Sequence, residues 1–244
     1  MKATRIIMGM PITIEVNHKN SSAKIKDCFN YFKDIDSRFS TYKKTSEVSL
    51  LNQGHKTNLS LDMQLVLDLC DKTARQTNGF FQIYKKDDTI DPSGLVKGWA
   101  IQNAANQLLL NKLTDFYIEA GGDIQVYGLN QQRQPWEIGI RNPFNIAEIV
   151  KVIRLTNAGV ATSGNYIRGS HIYNPLDGYK SPVGIASLTV IGPNVYHADR
   201  LATAAFAMGE VGINFIERLK GYEAYMINTK GIATLTSGFN QYVS

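Results

Sequence analysis

Apolar residues recur along this chain at two different periods, and the switches between them mark its elements. From residue 5 to 16 they alternate, Ile12, Ile14 and Val16 against Thr13 and Glu15, which predicts a strand pair or one long strand. Met8-Gly9-Met10 interrupts it; a glycine inside a strand signals a bulge or the close approach of another group. Over 22–39 the spacing becomes one, three and four, so Ile25, Cys28, Phe29, Phe32, Ile35 and Phe39 share one face of an amphipathic helix. Phe39-Ser-Thr-Tyr42 is a polar loop ending in an aromatic ring, and Ser46-Glu47 opens a short helical turn that runs to Asn52. Ser60 suits the N-cap of a helix over 61–76, with Leu65, Leu69, Cys70 and Ala74 inward.

Asn78-Gly79 closes that helix, Phe80 to Tyr84 read as a short strand, and Lys85 to Asp88 as a charged turn. Asp91-Pro-Ser-Gly-Leu-Val-Lys-Gly98 reads as a loop that leads into a helix over 99–112, with Ile101, Ala105, Leu108 and Leu109 inward. Strands follow at 116–120 and 124–127 around the tight turn Gly121-Gly122-Asp123, then a pair at 136–141 and 149–155 around Asn142-Pro143. Val160 to Gly164, a strand and turn over His171 to Gly178, and a strand at 187–191 precede an alanine-rich helix from Val195 to Gly209. A helix at 211–219 and a hairpin, 224–227 with 232–235, finish the chain. Strands and helices mix without regular alternation, and no linker or repeat divides them. The expectation is one α+β domain over 1–244 rather than a doubly wound sheet.

Composition narrows the function classes. Hydrophobic residues make up 43% and charged residues 19%, which supports a sizeable core. No apolar run approaches the roughly 18–20 residues of a membrane span, and the N-terminus enters strand-like sequence without a signal-peptide core. A cytoplasmic protein is expected, with no membrane insertion. The net charge of +5 comes from scattered lysines without aromatic interleaving, so a nucleic-acid platform is not expected. Cys28 and Cys70 fall on the apolar sides of helices with no Cys-x-x-Cys spacing, and read as buried structural thiols.

Two stretches carry candidate chemistry. Asp199 and Thr203 stand four apart in the alanine-rich helix, one turn apart on one face, where their hard oxygens could meet one cation; the helix N-terminus beside them favours a phosphate. The alternative is that Asp199 caps the helix and Thr203 bonds back to a carbonyl. The loop from Asp91 to Gly98 opens a helix and carries Lys97, so backbone N–H groups and an ammonium could converge on an anion.

Their order says more. Met-Gly-Met, Phe-Ser-Thr-Tyr with Ser-Glu and Leu-Asn after it, Asp-x-x-Gly-x-x-Lys-Gly, Gly-Gly-Asp-Ile, Ala-Thr-Ser-Gly-x-Tyr, His-Ile-x-x-Pro-x-x-Gly and Ala-Asp-x-x-Ala-Thr follow one another over essentially the whole chain. In this order they resemble the ApbE family, the FAD:protein FMN transferases, in a short form without the lipoprotein leader. The resemblance implies that FAD binds with Mg²⁺, a threonine or serine hydroxyl of an acceptor protein attacks the FMN-side phosphorus, and AMP leaves. It implies metal ligation by Asp199, Thr203 and the carbonyl of Gly94, and a catalytic base at His171, whose ordinary pKa near ~6.5 suits the role. It also implies FAD contacts from Met8, Tyr42, Phe80, Phe81, Gln82, Asp91, Lys97 and Ile172. His197 is a weaker candidate for the base, and Gly121, Gly122 and Asp123 read as turn formers rather than substrate contacts.

The chain departs from the family pattern in places. Asn174 stands where aspartate is usual, Asp177 where threonine is usual, and Gln82 where an aspartate follows the phenylalanine. The stretch from Gln82 to Asp91 is short, which leaves the adenine end more open or completed by a second subunit, as in a homodimer. Three functions stay open at this point: FMN transfer to a protein carrying a flavinylation motif, hydrolysis of FAD to FMN and AMP, and FAD binding without turnover.

Overall fold

The computed structural model describes residues 1–55, 58–165 and 172–243. Its frame is an eight-stranded antiparallel sheet in the order β1-β2-β3-β4-β7-β8-β9-β10. The strands are β1 (Lys2–Ile7), β2 (Met10–Val16), β3 (Phe116–Ala120), β4 (Asp123–Tyr127), β7 (Ala158–Gly164), β8 (Ile185–Gly192), β9 (Glu223–Asn228) and β10 (Ala233–Leu235). A separate two-stranded pair, β5 (Trp136–Asn142) and β6 (Asn145–Leu155), stands between β4 and β7 in the chain. The helices are α1 (Ser22–Phe39), α2 (Glu47–Asn52), α3 (Leu61–Gln76), α4 (Ser93–Leu110), α5 (Val195–Ala207) and α6 (Gly212–Glu217). The α+β expectation holds.

Successive strand residues point to opposite faces, and each face meets a different partner. On β8 and β9, Leu188, Val190, Ala224 and Met226 pack on α5 and α6, while Ile191, Tyr225 and Ile227 pack with Trp136, Ile138 and Ile153 of the β5–β6 pair. Ile12, Ile14, Ile118 and Phe116 of β2 and β3 join α1, α3 and α4 in the largest cluster. Helix α5 ends up between α4 and the sheet.

Three helices coincide with their sequence expectations, at 22–39, 47–52 and 61–76; the first rests on its apolar period and the other two also on hydroxyl caps. The Ser46 hydroxyl accepts the Ser49 N–H at 3.1 Å and that of Ser60 accepts the Met63 N–H at 3.1 Å. Glu47 ties the two caps together, accepting from the Ser60 N–H at 2.6 Å and hydroxyl at 2.7 Å. The inward face of α3 differs from expectation: Met63, Val66, Cys70 and Thr73 are buried, whereas Leu65 is 46% exposed. A strand at 80–84 does not form. The segment instead closes on itself through the Tyr84–Ile90 bridge and a Lys85 N–H to Thr89 carbonyl bond at 2.8 Å.

The largest correction concerns α4. It begins at Ser93, six residues before the expected start, so Gly94, Lys97 and Gly98 are helical rather than part of a loop. The glycines are there for the neighbour. A Cβ on Gly98 would lie 2.7 Å from Cβ of Asp199 and 2.8 Å from the Val195 carbonyl oxygen; one on Gly94 would lie 3.2 Å from Thr203 Cγ2. Two glycines four apart thus let α4 approach α5 along the face carrying Asp199 and Thr203, themselves four apart.

Cys28 and Cys70 are both buried, and burial pushes each thiol up to about 12. Native protein is expected to leave both unreacted with a thiol-specific disulfide reagent at pH 8, and denatured protein to release two equivalents. Fast reaction of either in the native state would contradict this packing.

Candidate active site

A cavity of about 520 Å³ opens where α4, α5, the end of β7 and the 80–91 and 172–175 segments meet. Its size is within the range of small-molecule and cofactor sites. Of the residues expected from sequence, Tyr42, Phe80, Phe81, Gln82, Asp91, Gly94, Lys97, Ile172, Asp199 and Thr203 line it. They come from distant parts of the chain.

At the floor, Asp199 is 4% exposed on the second turn of α5. Its Oδ2 accepts the Gly98 N–H at 2.8 Å, and its Oδ1 lies 3.8 Å from Lys97 Nζ. Burial drives its carboxyl well above the usual carboxylate range; the Lys97 ammonium opposes this, and the neighbouring Asp123 carboxylate adds to it. One turn on, Thr203 Oγ1 makes a long 3.5 Å contact with the Gly94 carbonyl oxygen. A carboxylate, a hydroxyl and a carbonyl therefore gather around one corner of the cavity. All three donors are hard oxygens, the set that suits Mg²⁺ while leaving room for water and phosphate. Among the described residues no group of three or more His, Cys, Asp or Glu could hold a metal, so a softer, nitrogen- or sulfur-rich centre is not assembled there.

The alternative reading of Asp199 as a helix cap fails. Asn194 is the N-cap, its Oδ1 accepting the His197 N–H at 3.0 Å, and Asp199 lies inside the helix. Nor is the N-terminus of α5 arranged for a phosphate. The Val195 N–H goes to Gln125 Oε1 at 2.8 Å and the Ala198 N–H to the Asn194 carbonyl at 3.1 Å. Gln125 also donates to the Ala158 carbonyl at 3.1 Å, pinning α5 to the sheet from a buried position. Gln125→Leu leaves the Val195 N–H without its acceptor and is expected to cost about 1–3 kcal/mol. A thermal melt should show it, and an unchanged melting temperature would remove Gln125 as the anchor of this helix.

The walls are held by side chains that the sequence motifs contain for structural reasons. Asn52, of the Leu-Asn pair, donates to the Ile90 carbonyl at 2.9 Å and accepts its N–H at 2.8 Å, clamping the short 82–91 segment. Asp91 accepts the Ser93 N–H at 3.1 Å and pairs with Lys85 at 3.0 Å. Burial pushes the Asp91 carboxyl up, but Ser93 and Lys85 outweigh it and the net shift is downward. Phe81 is 2% exposed, so it is cavity floor as much as core, whereas Tyr42 stands 95% exposed at the rim. Asn174 accepts the Leu176 N–H at 2.9 Å and shapes the turn of the opposite wall, a role its short polar side chain performs locally. Tyr173 and Pro175 of that wall, and Thr162, Ser163 and Gly164 of the Ala-Thr-Ser-Gly stretch, also line the cavity.

Three expected residues stand apart. Met8 is not among the described cavity-lining residues; it sits half-buried in the β1–β2 turn at φ +57°, packed on the core. His171 lies outside the described residues. His197 accepts the Arg200 Nε at 3.2 Å through Nδ1, against Tyr196 and Tyr222, and burial and Arg200 pull its pKa down to about 4. It is held neutral away from the cavity lining.

Comparison with known proteins places this geometry. The model of the ApbE family matches residues 8–87 and 83–226. An FAD:protein FMN transferase of Haemophilus influenzae is 27% identical, with 73% of this chain and 70% of that protein covered. One from Vibrio cholerae is 32% identical over 64% of this chain and 48% of its own length, and the Salmonella typhimurium enzyme is covered over 51% of its length. The chain thus spans about half the length of the latter two. Among solved structures, the ApbE protein of Thermotoga maritima superposes with a TM-score of 0.86 at 20% identity over 100% of this chain and 99% of that one. The flavin transferase ApbE of Vibrio cholerae gives 0.86 at 22% identity over 99% and 98%. Both share the fold. Among the described residues no helix is long and apolar enough to cross a membrane.

Proposed function

This chain belongs to the ApbE family, and we propose that it is an FAD:protein FMN transferase that moves FMN from FAD to a threonine or serine hydroxyl of an acceptor protein. The single observation that carries this reading is the convergence of Asp199, Thr203 and the Gly94 carbonyl on the floor of a cavity large enough for part of a dinucleotide. A site that only bound flavin would have no need of a buried carboxylate one helical turn from a hydroxyl that meets a carbonyl.

In this mechanism Asp199, Thr203 and Gly94 hold Mg²⁺, which when bound spreads the pyrophosphate charge. Lys97 meets the phosphates; Tyr42, Phe80 and Ile172 contact the planar parts of FAD. His171 takes the proton of the acceptor hydroxyl, whose oxygen forms a bond to the FMN phosphorus. The bond from that phosphorus to the bridging oxygen breaks, and AMP leaves with the oxygen. Fixing the two reactants in line supplies much of the acceleration. The acceptor carries the flavinylation motif, and Asp91 at the mouth keeps the 82–91 wall in place for it.

The test is the nucleotide product. Protein, FAD, Mg²⁺ and an acceptor domain should yield AMP in step with acceptor modification, and EDTA should stop both. AMP formed equally well without acceptor would replace transfer by hydrolysis, and bound FAD with no AMP under any condition would leave a flavin-binding protein.

A further inference from the structure

Gly121 and Gly122, at φ +59° and +95°, make a two-residue turn that glycine enters without strain, and it delivers Asp123 as the first residue of β4. Asp123 is 1% exposed. Its Oδ1 accepts the Thr162 N–H from β7 at 3.2 Å, and its Oδ2 lies 2.7 Å from Lys97 Nζ. Lys97 thus stands between two buried carboxylates, in contact with Asp123 and 3.8 Å from Asp199 Oδ1. The other oxygen of Asp199 is already committed to the Gly98 N–H. Lys97 and Asp123 therefore face the rest of the Asp199 carboxyl, and the ammonium would compete with a cation for Oδ1.

We propose that Asp123 is a positioning residue of this site: by pairing with Lys97 it keeps the ammonium off Asp199, so that Asp199 retains one oxygen for a divalent cation. Two carboxylates share one ammonium here; without Asp123 the ammonium would be left to Asp199 alone. The strands fix this asymmetry, since β4 and β7 are rigidly paired while Lys97 has a flexible stem. The inference rests on the reading of Asp199 as a metal ligand and concerns how that ligand is kept available.

The experiment measures metal binding without turnover. Mn²⁺, which shares the preference of Mg²⁺ for oxygen donors, is titrated into the FAD-free protein and its unbound fraction read by electron paramagnetic resonance. Wild type is expected to bind one Mn²⁺ that Asp199→Ala removes. Asp123→Asn, close in shape, should weaken that binding by about 10- to 100-fold, as loss of a ligand's supporting partner does. Adding Lys97→Met to Asp123→Asn should recover most of the loss, because the competing ammonium is gone. A purely structural Asp123 would lower the melting temperature, leave the affinity of the folded protein unchanged and show no rescue. Wild-type affinity in Asp123→Asn, or a loss that Lys97→Met does not recover, overturns the proposal while leaving the metal site intact. Wild type that binds no Mn²⁺ overturns the metal site itself, and this inference with it. If Asp123→Asn does not fold, Lys97→Met alone decides: the account expects Mn²⁺ to bind at least as tightly as in wild type, and a tenfold weaker affinity contradicts it.

Discussion

Asp199→Ala is expected to lower the rate of FMN transfer by roughly a hundred- to a thousandfold, the loss of about 3–4 kcal/mol of transition-state stabilisation at a charged phosphoryl centre. A carboxylate 4% exposed, driven toward its neutral form by desolvation, stays ionised at pH 7 only with enough positive charge beside it. The Lys97 ammonium at 3.8 Å supplies part of that charge, and the divalent cation proposed for Asp199, Thr203 and the Gly94 carbonyl would supply the rest. Alanine removes the only carboxylate of the three donors. The residual rate should no longer rise with added Mg²⁺, which separates this variant from one that merely folds less well. Steady-state assays across a magnesium titration are the check. A variant with wild-type rate and wild-type magnesium dependence would move the metal elsewhere.

Gly98→Ala is the second large effect, and it acts through packing. Alanine in place of glycine inside a helix normally gains up to about 1 kcal/mol. Here the added methyl meets Asp199 Cβ at 2.7 Å and the Val195 carbonyl oxygen at 2.8 Å, and the second is backbone at the anchored start of α5. Overpacking of this kind costs about 1–3 kcal/mol, so the clash outweighs the propensity gain. The melting temperature should fall by about 2–4 °C for each net kcal/mol lost. Activity should fall further than stability, since pushing α5 away moves Asp199 off Gly98. Gly94→Ala is the matched control: its methyl would meet Thr203 Cγ2 at 3.2 Å, and a side chain can yield by a few tenths of an ångström. Equal behaviour of the two variants would mean that the helix approach is not what the glycines serve.

These two glycines show where sequence reading stopped. Asp-x-x-Gly-x-x-Lys-Gly has the look of a loop, because glycine disfavours helix and proline precedes it. In the fold the deficit is offset by tertiary contact with α5, and no local pattern reports a neighbour a hundred residues away. Helix α1 is legible from its 3.6-residue period and α2 and α3 from their hydroxyl caps, all of them local properties. The segment 80–84 has strand-like residues but makes only the single Tyr84–Ile90 bridge among the described residues, which composition does not reveal.

The site divides the same way. Ten of the expected residues meet in one cavity, because an ordered set of short motifs constrains a fold more than any single motif does. Asp123 reads from sequence as part of the turn and is in fact the first residue of β4; its pairing with Lys97 depends on β4 lying across from α4. The Gly-Gly-Asp triplet was the available signal, since a carboxylate fixed by a two-glycine turn is placed with unusual precision. Met8 had the composition of a ring-binding side chain, but its place in the β1–β2 turn packs it on the core.

The central claim is that this chain forms a covalent bond between FMN and an acceptor protein. The most direct measurement is the intact mass of a domain bearing the flavinylation motif after incubation with the protein, FAD and Mg²⁺. The account predicts a gain of one FMN phosphoester per motif, absent with EDTA and absent with Asp199→Ala. An acceptor of unchanged mass, while an established flavin transferase modifies the same preparation, would contradict it.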